Sequence, residues 1–558
     1  MQPVISAAQM TEIDRLTVEH YATPSLMLME AAAKAVADEI SRHMDGPLEE
    51  TKVRVLCGPG NNGGDGAALA RILANMGVHT DVVLFGRVDE TKGDARVNFE
   101  ILQSLSSYEA GSHDQPAALS FVECLTIDSW EAIARPRRSY DVIVDALFGT
   151  GLTRPLEGLF QQVVEHLAMI RRARERAAGA RPFIVSVDLP SGLNADLAEI
   201  TGPTVQADLT VTFTAAKPAN VLPPATHLNG RLVIANIGSP ASLKEGAHSQ
   251  LFLTEREDVT EWLKQTRYTP DSYKNTHGHA LVVAGSRGYT GAAALCGNAA
   301  IRSGAGLVTI CTPASAQPAV ASQSMPEVMT LTLAETDRGA VSDAAIDHFL
   351  ATAKNATVVA IGPGLSHEDE RTKLFVRKIV EGRSTPVVID ADGLNCLAPW
   401  PKELHGSKEA PIVLTPHPGE MARLLGLNKL TSADRMTLVR EFAQVQKLMV
   451  VLKGSRSIIA TPEGRMFVNP TGNPGIGTAG SGDTLTGVIA GFLAQAFAML
   501  GSQANALDAT IAAVYVTGLA GDLAANKLGM RGMVASDIRD HLSAAIMTLD
   551  PAGETPST

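Results

Sequence analysis

Two glycine-rich runs hold the residues best suited to chemistry. The first, Gly58-Pro-Gly-Asn-Asn-Gly-Gly-Asp-Gly66, follows a β-branched run over 53–57 and precedes a helix-forming segment over 67–76. Glycines let a backbone turn tightly and approach a ligand closely. The amide groups at the start of the next helix suit a phosphate. Asn61 and Asn62 add amide oxygens, and Asp65 adds a carboxylate. The second run, Gly472-Asn-Pro-Gly-Ile-Gly-Thr-Ala-Gly-Ser-Gly-Asp-Thr-Leu-Thr-Gly487, opens an apolar helix. Amides at 480–482 make an anion hole. Asp483 is placed to orient or deprotonate a hydroxyl that attacks a phosphoryl group. The plain alternative for each run is a glycine-rich turn, and a bare G-x-G pattern is weak evidence alone.

Strands must carry these loops to a common place. The first half alternates apolar runs (53–57, 81–85, 141–145, 182–187, 209–213, 232–235) with helical segments, after a helical lead-in over 7–40. The second half repeats the pattern (281–284, 307–310, 358–361, 386–390, 412–414, 449–452). Near-continuous apolar strands between helices predict parallel sheets covered on both faces. Such sheets bind ligands beyond the carboxyl ends of their strands. Four more segments fall there: Asp145-Ala-Leu-Phe-Gly-Thr-Gly-Leu-Thr-Arg-Pro155, Asp188-Leu-Pro-Ser-Gly192, Lys453-Gly-Ser-Arg-Ser457 and Thr415-Pro-His-Pro-Gly-Glu420. Asp145 and Asp188 are either helix caps or site residues. A turn without a ligand is the plain reading of 453–457.

The 558 residues carry 47 Lys+Arg against 59 Asp+Glu, a net charge of −12, with 45% hydrophobic residues. That apolar content supports sizeable cores and excludes a mainly disordered chain. Net acidity and 4% aromatics argue against a nucleic-acid binder. The five scattered cysteines (Cys57, Cys124, Cys296, Cys311, Cys396) include no C-x-x-C pair, so neither a zinc site nor a disulfide framework is expected. The greasy stretch over 488–500 falls short of a membrane span and reads as a core helix. No signal peptide is expected, and the protein is expected to be cytoplasmic. A composition shift places one domain over 1–238, a linker near 239–250 and a second domain over 250–550.

The runs GPGNNGGDG, DALFGTGLTRP and DLPSGLNAD, in that order, resemble the NAD(P)HX epimerase domain over residues 1–238. That family corrects the stereochemistry at C6 of hydrated nicotinamide cofactors. The resemblance implies a Rossmann-like three-layer α/β domain. It implies that Asn61, Asn62, Gly63, Gly64, Asp65, Gly149, Thr150, Gly151, Leu152, Thr153, Arg154 and Pro155 hold the dinucleotide. It further implies that Asn62, Asp145 and Ser191 help coordinate a potassium ion (K+), and that Asp188 sits on the substrate and moves a proton. Two departures stand out. Met29-Glu-Ala-Ala-Ala33 replaces a Met-Glu-Asn-Ala-Gly-like helix, and the turn after Asp196 carries extra residues over 197–200.

The second half resembles the ADP-dependent NAD(P)HX dehydratases, of ribokinase-like fold, over 250–550. The motifs are Thr276-His-Gly-His279, Met325-Pro-Glu327, Gly362-Pro-Gly-Leu365, Asp390-Ala-Asp-Gly-Leu-Asn395, Thr415-Pro-His-Pro-Gly-Glu420, Lys453-Gly and the run ending at Asp483. The resemblance implies that Lys453, Gly454, Ser455, Arg456, Ser457 and Gly482 contact the adenine nucleotide. Ala292, Gly364, His417 and Asp483 would contact the hydrated cofactor. Mg2+ is expected; Asp390 and Asp392 read equally as ligands to it or to water, or as caps of the next helix. Glu420 reads as part of a metal or phosphate network. ADP would phosphorylate the C6 hydroxyl, and loss of phosphate would restore NAD(P)H and leave AMP. The expected partners are NADHX or NADPHX and ADP, with no nucleic acid or membrane, in a homo-oligomer. Two other readings stay open: a small-molecule kinase with a nucleotide-sensing first half, and a first half that binds without catalysis.

Overall fold

Short β-branched runs become strands in both halves because apolar side chains alternate onto two covered faces. The computed structural model describes residues 1–44, 46–47, 50–110, 118–134, 139–176 and 182–554. It divides into one unit over Pro3–Ser249 and another made of Met1–Gln2 with Gln250–Thr558.

In the first unit the strands are β2 (Lys52–Cys57), β3 (His79–Leu84), β4 (Leu119–Glu123), β5 (Val142–Ala146), β6 (Phe183–Val187), β7 (Leu209–Phe213) and β8 (Arg231–Ala235). They form one parallel sheet in the order β4-β3-β2-β5-β6-β7-β8. Val53, Val55 and Cys57 pack into one core with helices Ser25–His43 and Asn61–Asn75. Leu56, between them, packs into the other core with helix Gly158–Arg176. This is the period-two alternation of a strand covered on both sides.

The helix expected from residue 67 begins at Asn61, so three glycines of the first run lie inside it. Close packing explains them. A Cβ on Gly63 would stand 1.8 Å from the Gly58 carbonyl oxygen. One on Gly66 would stand 2.6 Å from the Ala146 Cβ and 2.9 Å from the Cys57 Sγ. Gly63→Ala should therefore destabilise this unit by on the order of 3 kcal/mol through overpacking. Denaturant unfolding checks this; an unchanged midpoint refutes it.

In the second unit, β1 (Gln2–Pro3) edges a sheet built from β9 (Leu251–Leu253), β10 (His279–Val283), β11 (Leu307–Pro313), β12 (Met329–Leu333), β13 (Val358–Ile361), β14 (Val387–Ile389), β15 (Ile412–Leu414), β16 (Met449–Leu452), β17 (Ile458–Ala460) and β18 (Met466–Val468). The order is β1-β9-β18-β17-β16-β15-β14-β13-β10-β11-β12. Strands β10 to β16 pair in parallel, and β16-β17-β18 is an antiparallel meander. Strands β4, β9, β12, β17 and β18 carry no expectation from the sequence: they are short or lie toward sheet edges, where alternation is weak. Helix Ser481–Met499 is buried from Thr484 to Ala496, so the 488–500 stretch is a core helix. Helix Ala506–Leu528 is long and apolar enough to cross a membrane by length and composition, yet most of its apolar window is buried in the protein. The five cysteines are free thiols.

Candidate functional site

Strands β2, β5, β6 and β7 are parallel neighbours, so the loops after them meet at one edge. Strand order reverses between β2 and β5, which opens a crevice there. A cavity of about 770 Å³ occupies it. Asn61, Asn62, Asp65, Gly149, Thr150, Gly151, Leu152 and Asp188 line this cavity. Thr153, Arg154 and Pro155 are not among the residues that line it. Gly64 is turned toward Ala95 and Met29, and its amide donates to the Gly60 carbonyl.

Asp188 holds φ at 65°, a left-handed conformation that costs a non-glycine residue on the order of 1 kcal/mol. Side-chain bonds hold it there. Lys217 Nζ donates to Asp188 Oδ1 at 2.6 Å, and Thr212 Oγ1 donates to the same oxygen at 2.9 Å. Lys217 is 1% exposed, and its ammonium also reaches Thr212 Oγ1 and the Phe213 carbonyl. The other oxygen, Asp188 Oδ2, lies 3.0 Å from where a Cβ on Gly149 would stand, with Asn62 Oδ1 at 3.1 Å from that point. A side chain at 149 would displace both. Asp145 is fully buried and takes four donated bonds: from Ser186 Oγ, Ser191 N, Ser191 Oγ and Leu147 N. Burial still pushes its carboxyl above the ordinary range, and among the described residues no cation pairs with it.

Sequence reasoning missed Lys217 and Asp14. The signal for Lys217 is a lone lysine shortly after an apolar strand, followed by Pro218 at a helix start. Asp14, on helix Ala7–Tyr21, lines the cavity with a buried Oδ1 that has no partner among the described residues. Desolvation pushes it up to about 6; Lys217 opposes this and Asp188 adds to it. Desolvation also holds Asp65 well above the usual range, with Asp188 and Asp14 contributing.

In the second unit, β13, β14, β15 and β16 deliver Gly362, Asp390, Thr415 and Lys453 to one sheet edge. Lys453 Nζ donates to Asp390 Oδ1 at 2.6 Å and lies 3.7 Å from Glu420 Oε2. Thr486 Oγ1 donates to Asp390 Oδ2 at 2.7 Å. Ala391 takes φ 48°, and this turn separates the two acids that flank it. Asp392 instead accepts from Ser366 N and His367 Nδ1. Gly482 lies against this pair: a Cβ there would stand 3.3 Å from Lys453 Nζ and 3.6 Å from Asp390 Oδ2. Residues 453–457 form the turn of the β16–β17 hairpin.

Asp483 sits in the first turn of helix Ser481–Met499. Among the described residues no donor reaches its carboxylate. Desolvation pushes it up to about 7, and Asp390 adds to the rise while Lys453 opposes it. Gly487 packs on the Cys296 backbone, and Gly491 packs on the Ala300 carbonyl. The constant offset means that this helix and Thr290–Arg302 run parallel, which sets Ala292 level with Asp483. A Cβ on Gly364 would stand 3.0 Å from the Ala292 Cβ. His417 caps helix Pro418–Leu424: its Nδ1 accepts from Gly419 N and Glu420 N, and its Nε2 lies 3.6 Å from Glu420 Oε1. Asp522, also missed, holds the Gly472–Asn473 turn through Gly472 N and Asn473 Nδ2.

Residues 280–544 match the family described as NAD(P)H-hydrate dehydratase, and residues 25–219 match the YjeF-related protein N-terminus. The bifunctional NAD(P)H-hydrate repair enzyme of Moorella thermoacetica is 39% identical, over 99% of this chain and 98% of its own. Its counterpart from Thermofilum pendens is 36% identical, over 98% of this chain and 96% of its own. An ADP/ATP-dependent NAD(P)H-hydrate dehydratase from Bacillus subtilis, co-crystallised with ATP/Mg2+, is 29% identical with a TM-score of 0.45, covering 54% of this chain and 99% of that one. With both halves matched and relatives aligned along nearly its whole length, the chain belongs to the bifunctional NAD(P)H-hydrate repair enzyme family.

Proposed function

We propose that the two sites divide one repair: the first interconverts the R and S forms of NAD(P)HX at C6, and the second dehydrates the S form at the expense of ADP. Hydroxide is a poor leaving group. In the second site Asp483 takes the proton of the C6 hydroxyl while its oxygen attacks the terminal phosphoryl group of ADP, which leaves AMP. The amides at 480–482 and the Lys453 ammonium counter the charge that builds on the transferring group. The C6–O bond then breaks with phosphate, the ring nitrogen supplies the electron pair, and loss of a C5 proton restores the dihydronicotinamide.

The observation that carries this reading is Asp483 itself: a carboxylate that no donor among the described residues reaches, at a helix start, beside Lys453 and level with Ala292. Asp390 has both oxygens engaged, by Lys453 and Thr486. Mg2+ in such sites is held by one or two carboxylates and by the substrate's own phosphates, so an ion carried in with the nucleotide would rest chiefly on those phosphates. Among the described residues no group of three or more acids, histidines or cysteines forms a metal cage.

A K+ ion in the first site would draw on Asn62, which lines the cavity, and on Asp145 and Ser191, which do not line it and bond to each other. Asn62, Asp145 and Ser191 offer hard oxygens, and Asp145 is a buried carboxylate with neutral donors alone. When bound, the ion supplies a fixed positive charge there. Asp188, held by Lys217, exchanges the proton of epimerisation.

Incubation of the full chain with enzymatically hydrated NADH and ADP or ATP tests the whole reading. Recovery of reduced-nicotinamide absorbance, with one phosphate and one AMP per cofactor from ADP, is expected. A stable phosphorylated product without phosphate release indicates a small-molecule kinase instead. The pH dependence has a definite sign. Asp483 must be ionised to accept a proton and is held up to about 7, so the dehydration rate should fall roughly tenfold per pH unit below that value and level off above it. A flat profile through that range excludes Asp483 as the base.

A further inference from the structure

Besides Asp188 and the motif residue Asp65, the cavity in the first unit is lined by Asp14, Glu19 and Asp94, and of these Asp14, which precedes the family match over 25–219, has a buried carboxyl oxygen with no partner among the described residues. We propose that Asp14 is the proton donor to the C6 oxygen during epimerisation, in the role opposite to Asp188; this rests on the epimerase reading above. Helix Ala7–Tyr21 is fixed at its start by a capping box on Ser6. Its first amide, Ala7 N, donates to Asp196 Oδ1 in the loop after Asp188, and Ile5 N donates to the Ala216 carbonyl beside Lys217. The helix that carries Asp14 is thus pinned to both loops that carry the Asp188–Lys217 pair. Asp14 and Asp188 line the same cavity but are used differently. Asp188 Oδ1 accepts hydrogen bonds from Lys217 and Thr212, so this group enters as an acceptor. Among the described residues no donor reaches Asp14 Oδ1, and the group is desolvated, which favours the protonated acid. A carboxyl with no donor on its buried oxygen, facing a carboxylate that accepts hydrogen bonds from an ammonium and a hydroxyl, has the makings of an acid–base pair.

The step balances. The C6–O bond breaks with its electron pair on oxygen, which takes the Asp14 proton and leaves as water. The ring nitrogen's lone pair forms an N1–C6 double bond. Water adds to the opposite face, and its proton passes to the Asp188 carboxylate. The next turnover in the reverse direction, or exchange with solvent, returns both acids to their starting states.

The test uses the full chain, the R hydrate of NADH and no ADP, following conversion to S above the uncatalysed rate. Asp14→Asn should lower kcat about 100-fold or more with KM within about threefold, leave ADP-dependent dehydration of the S hydrate unchanged, and be partly rescued by Asp14→Glu. A kcat within about threefold of wild type, or a loss confined to KM, overturns the proposal. The wild-type enzyme in heavy-oxygen water tests which bond breaks: the S product should carry solvent oxygen at C6, and retention of the original oxygen overturns the proposal. Failure of the wild type to convert R to S at all would sink the epimerase reading itself, a different outcome from an active wild type matched by an active Asp14→Asn.

Discussion

Asp483→Asn should cost about 10³-fold in the rate of ADP-dependent dehydration while R-to-S conversion continues at the wild-type rate. A positioned general base contributes ~10²–10⁴-fold, and no donor among the described residues engages the Asp483 carboxylate at this sheet edge. Asparagine keeps the shape and the helix position but cannot take a proton. Gly480 and Gly482 are unchanged, so the anion hole should survive and nucleotide binding with it. The assay is absorbance recovery from the S hydrate with ADP, alongside a nucleotide-binding titration. Near-normal dehydration removes Asp483 from the mechanism. A parallel loss of nucleotide affinity reassigns it to binding.

Lys217→Met has a larger effect on the fold. Removing one partner of a buried ion pair costs about 3–5 kcal/mol, because the remaining charge is stranded. Lys217 is essentially inaccessible, and its ammonium is the partner of Asp188, bonding also to Thr212 and the Phe213 carbonyl. The first unit should lose stability by that amount in denaturant unfolding, and epimerisation should vanish with it, whereas the second unit should still dehydrate the S hydrate. A destabilisation below about 1 kcal/mol would show that the pair contributes little. Lys217→Arg is not expected to restore wild-type behaviour, because the larger planar guanidinium has no room in a fully packed site.

Much of both sites was legible because it depends on local rules. Apolar runs such as 209–213 and 358–361 stand in the structure as strands with the anticipated limits. Parallel order then brings Asp188 and Lys453 to strand ends, where loops meet. The glycines were legible as tight spots but not as to what they are tight against. Gly63 and Gly66 let a helix lie on a sheet, and Gly482 lies against an ammonium. His417 was legible as a rigid loop residue, but its role as a helix cap needs the coordinates of Gly419 and Glu420.

Local pattern thus settles which segments are strands and which loops are rich in chemistry, since propensity and period act over a few residues. It does not settle that Lys217 sits under Asp188, that Lys453 locks Asp390, or that Asp14 shares a cavity with both partners of the first pair. Those meetings join residues far apart in the chain. They follow from strand order and helix docking, which only the assembled core specifies.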